Sequence, residues 1–312
     1  MSTPPLVAAP TFALVRAPIA PMHAEPSVQS IQISQTLFGH APNVVDTDGD
    51  WHLLRTLDGY EGWTHVGYLA VLDAPTLVPI ADNSLRALAP EEAGEKPKNG
   101  HSPHPEPFDP TRLHNLLGGD AVPKLSLGCT VLAGDRRLRL PLGAWVHAAQ
   151  TLLDGQTIGL DELAVQFPSD GDRIVRTAAR WFEGTSYQWG GVTPWGADCS
   201  GLAQTAFALH GALLPRDAWQ QMAALDGTSV DGGLRALQGG DLLFFSDRDD
   251  GRITHVGCAL DGARMVHLAL GRGGYAVERL ADASDPYVAA LVGRFRGARR
   301  PTAALWAMTG SR

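Results

Sequence analysis

The sequence predicts an α+β fold in which a helices-then-strands domain at the C-terminal end follows a β-rich N-terminal half. Three observations predict it. Short apolar runs broken by glycine turns fill residues 24–75. Apolar residues at helical spacing begin after Pro168. From Gly240 onward, strand-like runs alternate with turns. Helices first and strands after, in one stretch, is the α+β pattern.

The chain has 312 residues, more than one ordinary small domain needs, so two or three are expected. It is 44% hydrophobic and 19% charged, the balance of a soluble globular protein. The formal net charge is −8, and no Lys/Arg run precedes the short Arg299-Arg300 pair. That excludes a nucleic-acid binder and argues against docking on an anionic polymer or membrane. No run of 18 apolar residues offers a membrane-spanning helix. Residues 1–23 are apolar but broken by prolines, with no basic stretch before the apolar one. They read as an extended arm and not a leader, which gives a cytoplasmic protein as the expectation. An exported protein already trimmed of its leader would read the same way.

In chain order, Ile31-Gln32-Ile33 and Trp51-His52-Leu53-Leu54 read as strands. The turn clusters Asp48-Gly49-Asp50, Asp58-Gly59 and Gly62 separate them. Short strands at this spacing suggest a small β-barrel over 24–75. A second small β domain is expected over 76–166. Its Pro-rich polar stretch at about 90–110 reads as an exposed insertion. Leu125-Ser126-Leu127-Gly128 and Arg137-Leu138-Arg139-Leu140 carry its strand texture. The third domain spans 167–312. Ile174, Val175, Ala178, Ala179, Trp181 and Phe182 recur at helical spacing behind the cap residues Ser169-Asp170. A second helix is expected over Ser200–His210, and a third from Pro215-Arg216. Asp241–Phe245, Ile253–Leu260, Met265–Leu270, Tyr275–Leu280 and Leu291–Phe295 read as strands.

The three cysteines, Cys129, Cys199 and Cys258, are too few and too odd for a disulfide framework. They fit a reducing compartment, or one functional thiol with two buried ones. There is no CxxC pair, and His101 and His104 lack a third ligand nearby, so neither metal nor cofactor is expected. Cys199 stands apart. It lies in Gly196-Ala197-Asp198-Cys199-Ser200-Gly201, between a Gly-rich loop and a helix start. Unpaired N–H groups and the positive dipole end there favour a thiolate and can cradle an oxyanion. A nucleophilic thiol needs a base, and the base needs an orienting group. His255 and His267 flank a stretch containing Leu260-Asp261-Gly262 that reads as a hairpin. A three-residue loop centred on Asp261, with Gly262 left-handed, would set the two histidines directly opposite one another. A two-residue turn would send them to opposite faces. Cys258, three residues from His255 in mid-strand, faces the other side and reads as structural. Cys129 reads as structural too.

Tyr187-Gln188-Trp189-Gly190-Gly191, then Asp198-Cys199-Ser200-Gly201-Leu202 and Leu214-Pro215-Arg216-Asp217-Ala218-Trp219-Gln220-Gln221, resemble the NlpC/P60 family of murein-peptide hydrolases. Gly240-Asp241-Leu242-Leu243-Phe244-Phe245, Thr254-His255-Val256-Gly257 and Met265-Val266-His267 continue the family's order. Upstream, Asp50-Trp51, Gly59-Tyr60-Glu61-Gly62-Trp63 and Tyr68-Leu69 resemble a bacterial SH3-like domain, and Leu125-Ser126-Leu127-Gly128 a second. The tandem order is similar to that of cytoplasmic enzymes that trim recycled murein peptides.

The resemblance implies a papain-like catalytic domain behind two SH3-like barrels. It implies a cysteine peptidase cutting between γ-D-glutamate and a diamino acid, either diaminopimelate or lysine, in small murein peptides. Cys199 would attack, His255 would protonate the leaving amine, and His267 would orient His255. Tyr187 matches the family's active-site tyrosine. Asp198 and Ser200 match positions that hold the substrate's peptide groups. Arg216 and Asp217 match a pair lining the cleft, although Asp217 could instead only cap the helix it begins. The first SH3-like domain would help read the free amine of an N-terminal L-alanine, with Tyr60 and Glu61 as its candidates. Here the chain departs from the pattern: relatives often carry an acid where it has Ile31, in Ser30-Ile31-Gln32. An endopeptidase on intact wall and a decayed peptide-binding protein are the competing readings.

Overall fold

A computed structural model describes residues 11–72, 123–302 and 305. The expected Pro-rich insertion at 90–110, with His101 and His104, lies outside the described residues.

Residues 11–72 form one seven-stranded, antiparallel, curled sheet. Its strands are β1 (Thr11–Val15), β2 (Ile19–His23), β3 (Gln32–Leu37), β4 (Asn43–Asp48), β5 (Trp51–Arg55), β6 (Glu61–His65) and β7 (Leu69–Leu72), in the order β3-β2-β6-β5-β4-β1-β7. The arm expected over 1–23 is therefore corrected: residues 11–23 are two strands of this sheet. Pro18 lies in the turn between β1 and β2, and Pro21 lies inside β2. Ala13, Val15, Ala20 and Met22 fill the sheet's concave core beside Leu54 and Leu69, so this segment contributes buried apolar surface that no extended arm could.

A three-stranded sheet follows, made of β8 (Lys124–Ala133), β9 (Arg136–Val146) and β10 (Gln150–Ile158) in the order β10-β8-β9. One face packs Cys129, Val131, Leu138 and Leu140 on Leu37 and Phe38 of the first sheet and on Val192. The other end packs Leu125, Leu127 and Leu142 on Leu163, Phe167 and Leu209. The sheet is thus wedged between the first sheet and the C-terminal helices. Cys129 is buried filler within it.

Helix α1 (Leu160–Gln166) leads into α2 (Gly171–Phe182), capped by Asp170, whose side chain accepts from the Arg173 N–H at 2.9 Å. After the short pair β11 (Val192–Thr193) and β12 (Gly196–Ala197) comes α3 (Cys199–Leu209), then α4 (Ala218–Ala224). A five-stranded antiparallel sheet completes the unit: β13 (Leu242–Phe245), β14 (His255–Ala259), β15 (Arg264–Ala269), β16 (Gly274–Arg279) and β17 (Phe295–Arg299), ordered β16-β15-β14-β13-β17. The strand expected over Leu291–Phe295 is corrected. Asp285 caps the N–H groups of Tyr287 and Val288 and Pro286 pre-sets the first turn, so 286–293 is helix α5 and the strand begins only at Phe295. Helix α3 is apolar nearly all round and is buried between α2 and this sheet. That burial fixes its N-terminus, and hence Cys199, against the start of β14.

Candidate active site

Asp198 is the N-cap of α3, and its carboxylate is saturated by buried donors. Oδ1 accepts from the Gly201 N–H (2.8 Å), the Ser200 hydroxyl (3.2 Å) and Arg216 Nη1 (3.0 Å). Oδ2 accepts from the Gly190 N–H (2.9 Å) and Arg216 Nη2 (2.7 Å). Arg216 is only 1% exposed. It also donates to the Ser200 hydroxyl (2.9 Å), the Gly191 carbonyl (3.4 Å) and the Ser34 hydroxyl on β3 (3.2 Å). Burial pulls its pKa down, but Asp198 more than offsets this and holds the guanidinium above its ordinary range. One guanidinium therefore locks the loop before the thiol, the helix that carries it and the first sheet. Gly201 is needed for this approach, because a Cβ there would strike the Gly191 carbonyl oxygen.

Cys199 opens α3 and is 7% exposed. Burial pushes its thiol up to about 12, and Asp198 adds to the shift; backbone hydrogen bonds from Val256 and Ser200 and the Arg216 charge act the other way. The Val256 contact sets the first residues of β14 beside the sulfur. Tyr187 is half-buried against the same cluster, and its hydroxyl pKa is raised by burial and then by the Cys199 charge. Cys258 is fully buried in the cluster that packs α3 on the sheet.

His255 Nε2 and His267 Nδ1 are 2.8 Å apart. Burial, then His267, holds His255 down at about 3. The two histidines share a face, but not by the expected register. Cys258 pairs with Val266 and Ala259 with Met265, and the Leu260 N–H donates to the Arg264 carbonyl. The loop has the expected three residues, yet it is centred on Gly262 and not Asp261. Gly262 is not among the positive-φ glycines. Asp261 instead turns the chain by accepting from the N–H groups of Ala263 and Arg264, both at 2.9 Å. Continuing that register sets Gly257 opposite His267, so His255 meets it as a diagonal neighbour, which two rings can reach.

Glu278 was not foreseen. It lies on β16, opposite Met265, and its Oε1 is 3.3 Å from His267 Nε2. Burial raises its carboxyl, but hydrogen bonds from His267 and Arg272 outweigh this and hold it at about 2. An acid among the inward-facing positions of the next strand was the available signal, but it needed the β15–β16 register.

The first sheet closes the same end of the molecule. The Gln32 side chain donates to the Trp189 carbonyl (3.0 Å), Gln35 accepts from the Val192 N–H (3.1 Å), and Asp58 accepts from Gln204 of α3 (2.7 Å). Tyr60 donates to Asp217 at 3.3 Å, and both are half-buried; desolvation raises each pKa. Asp217 also caps α4, its N–H bonded to the Gln220 side chain at 3.1 Å, so it serves the helix and the cleft wall together. Glu61 is drawn aside by Arg55, at 2.7 Å. Ile31 is 57% exposed.

Residues 184–289, which hold Cys199, His255, His267 and Glu278, match the NlpC/P60 family. That stretch of the chain is an NlpC/P60 domain. It is 27% identical over 252 residues to the γ-D-glutamyl-L-lysine dipeptidyl-peptidase of Bacillus cereus, covering 75% of this chain and 66% of that protein. It is 26% identical over 263 residues to dipeptidyl-peptidase 6 of Lysinibacillus sphaericus, covering 83% of this chain and 88% of that one. The crystal structure of an NlpC/P60 family protein from Bacillus cereus superposes with a TM-score of 0.61, at 17% identity, over 93% of this chain and 99% of that one. That likeness extends the common fold through the N-terminal sheets.

Proposed function

We propose that this chain is a thiol peptidase that cuts the bond between γ-D-glutamate and a diamino acid in small murein peptides. The observation that carries the proposal is a buried thiol at a capped helix start, next to a strand whose first residue is a histidine already bonded to a second one. The names of the two curated relatives support the bond assignment.

The chemistry follows from the electrostatics. Burial disfavours thiolate and imidazolium taken singly. The proton therefore moves from Cys199 Sγ to His255 as the sulfur attacks the γ-carbonyl, so that no lone charge is created. First-turn N–H groups of α3 and the Tyr187 hydroxyl are the donors that would stabilise the oxyanion. His255 then gives its proton to the leaving amine, and water hydrolyses the thioester. His267 orients the ring. The saturated carboxylate of Asp198 leaves it a scaffold role, so substrate contacts pass to backbone groups nearby and to Tyr60.

Release of L-Ala-γ-D-Glu from L-Ala-γ-D-Glu-L-Lys, or from its diaminopimelate counterpart, is the expected result by mass spectrometry of the products. Activity that survives Cys199→Ala would overturn the assignment. The exposed Ile31, where a carboxylate would be needed to hold a free ammonium, favours a second reading as an endopeptidase. N-acetylated tripeptide separates the two: a dipeptidyl-peptidase spares it, and an endopeptidase cuts it at a comparable rate. With this reading we also propose that the enzyme acts on free recycled peptides in the cytoplasm, which cell fractionation would test.

A further inference from the structure

Strands β14, β15 and β16 place His255, His267 and Glu278 on one sheet face along a diagonal. His267 stands opposite Ala276, and Glu278 is two residues further along, as His255 is two residues from Gly257 on the other side. The contacts run His255 Nε2 to His267 Nδ1 at 2.8 Å, then His267 Nε2 to Glu278 Oε1 at 3.3 Å. Arg272 grips the acid from behind, Nε to Oε1 at 2.7 Å and Nη2 to Oε2 at 2.9 Å, and also holds Asp285. Both His267 and Glu278 are buried.

We propose that Glu278, clamped by Arg272, is a positioning residue that sets the tautomer of both histidines and so leaves His255 Nδ1 as the proton acceptor for Cys199. A carboxylate only accepts hydrogen bonds. In its neutral form the His267 ring then carries its proton on Nε2 and offers a lone pair at Nδ1. That lone pair can be matched only by an N–H at His255 Nε2, which leaves His255 Nδ1 bare. A base two bonds removed is thereby set by an acid that never touches the substrate. Arg272 keeps the acid ionised: hydrogen bonds from it and from His267 outweigh burial. The charged and titratable groups around the relay are Cys199 on α3, Asp247 after β13, Arg272 and Asp285 beyond Glu278, and Tyr287 on α5, whose ring lies under Arg272.

This inference rests on the peptidase reading for its kinetic consequence, but not for its spectroscopic one. Nitrogen-15 NMR of the histidine rings in the wild-type protein reads the tautomers without any substrate or variant. Nε2–H on both rings is expected. A proton on His255 Nδ1 in the resting enzyme would overturn the proposal. In kinetics, Glu278→Gln can present an amide N–H to His267 and reverse both rings. It should lower kcat about 10–100-fold, the usual cost of losing an orienting partner, with KM nearly unchanged. Glu278→Asp should recover part of that loss. Full kcat in Glu278→Gln would also overturn it. A wild-type enzyme with the expected tautomers but no thiol-dependent cleavage would instead count against the peptidase reading alone.

Discussion

Replacing Arg216 with Met should expose how much of the site depends on one buried cation. The change removes five hydrogen bonds and leaves the Asp198 carboxylate 5% exposed without its counter-ion. Breaking a buried pair on one side costs about 3–5 kcal/mol. The Gly201 and Gly190 N–H groups and the Ser200 hydroxyl still reach Asp198, so the lower figure, about 3 kcal/mol, is expected here. For a cooperative unit of roughly 150–250 residues that lowers Tm by about 6–12 °C. Scanning calorimetry at pH 7 measures it. The double change Arg216→Met with Asp198→Asn removes the stranded charge and should regain at least about 1 kcal/mol of the loss. An Arg216→Met protein within about 1 °C of wild type would show that the buried cation contributes little, and a double variant no better than the single one would show that no charge is stranded.

Four further outcomes follow from the same geometry. Gly201→Ala drives a Cβ into the Gly191 carbonyl and should cost about 1–3 kcal/mol in urea unfolding together with most activity, whereas an ordinary helical Gly→Ala change is stabilising. Because His255 is held at about 3 against 6.5 unfolded, the unfolded chain binds more protons between those values. Stability is therefore full above about pH 6.5 and declines as pH falls toward about 3; a Tm unchanged from pH 7 to pH 4 would contradict this. Tyr60→Phe removes one 3.3 Å hydrogen bond to Asp217 and should cost at most about 1 kcal/mol in stability while raising KM for the tripeptide; an unchanged KM would contradict its substrate contact. Cys258→Ala should retain kcat, since this thiol only fills the core between α3 and the sheet; loss of activity with an unchanged melting curve would contradict its structural role.

Much of this site was legible before any coordinates. A thiol after a Gly-rich loop, followed by helical spacing, located Cys199 at the start of α3, because caps and dipoles are local effects. The pairing of His255 with His267 was also legible, but its geometry was not. Asp261 accepts two backbone N–H groups and shifts the loop centre by one residue, which converts a facing pair into a diagonal one. Glu278 and Arg216's reach to Ser34 depend on which strand lies beside which, and no local pattern carries that information. In residues 11–23 the prolines give the sequence the texture of an arm, whereas Ala20 and Met22 alternate into the core as in a strand. Likewise Leu291 has strand-like neighbours, but Asp285 and Pro286 start a helix that includes it.

In the proposed reaction Cys199 becomes acylated by the γ-glutamyl group. Rapid acid quenching during turnover of L-Ala-γ-D-Glu-L-Lys, followed by peptide mapping by mass spectrometry, tests it directly. An L-Ala-γ-D-Glu thioester on the peptide containing Cys199, absent in Cys199→Ser, is the predicted result. Turnover with that peptide unmodified, or with the adduct on Cys258, would contradict it.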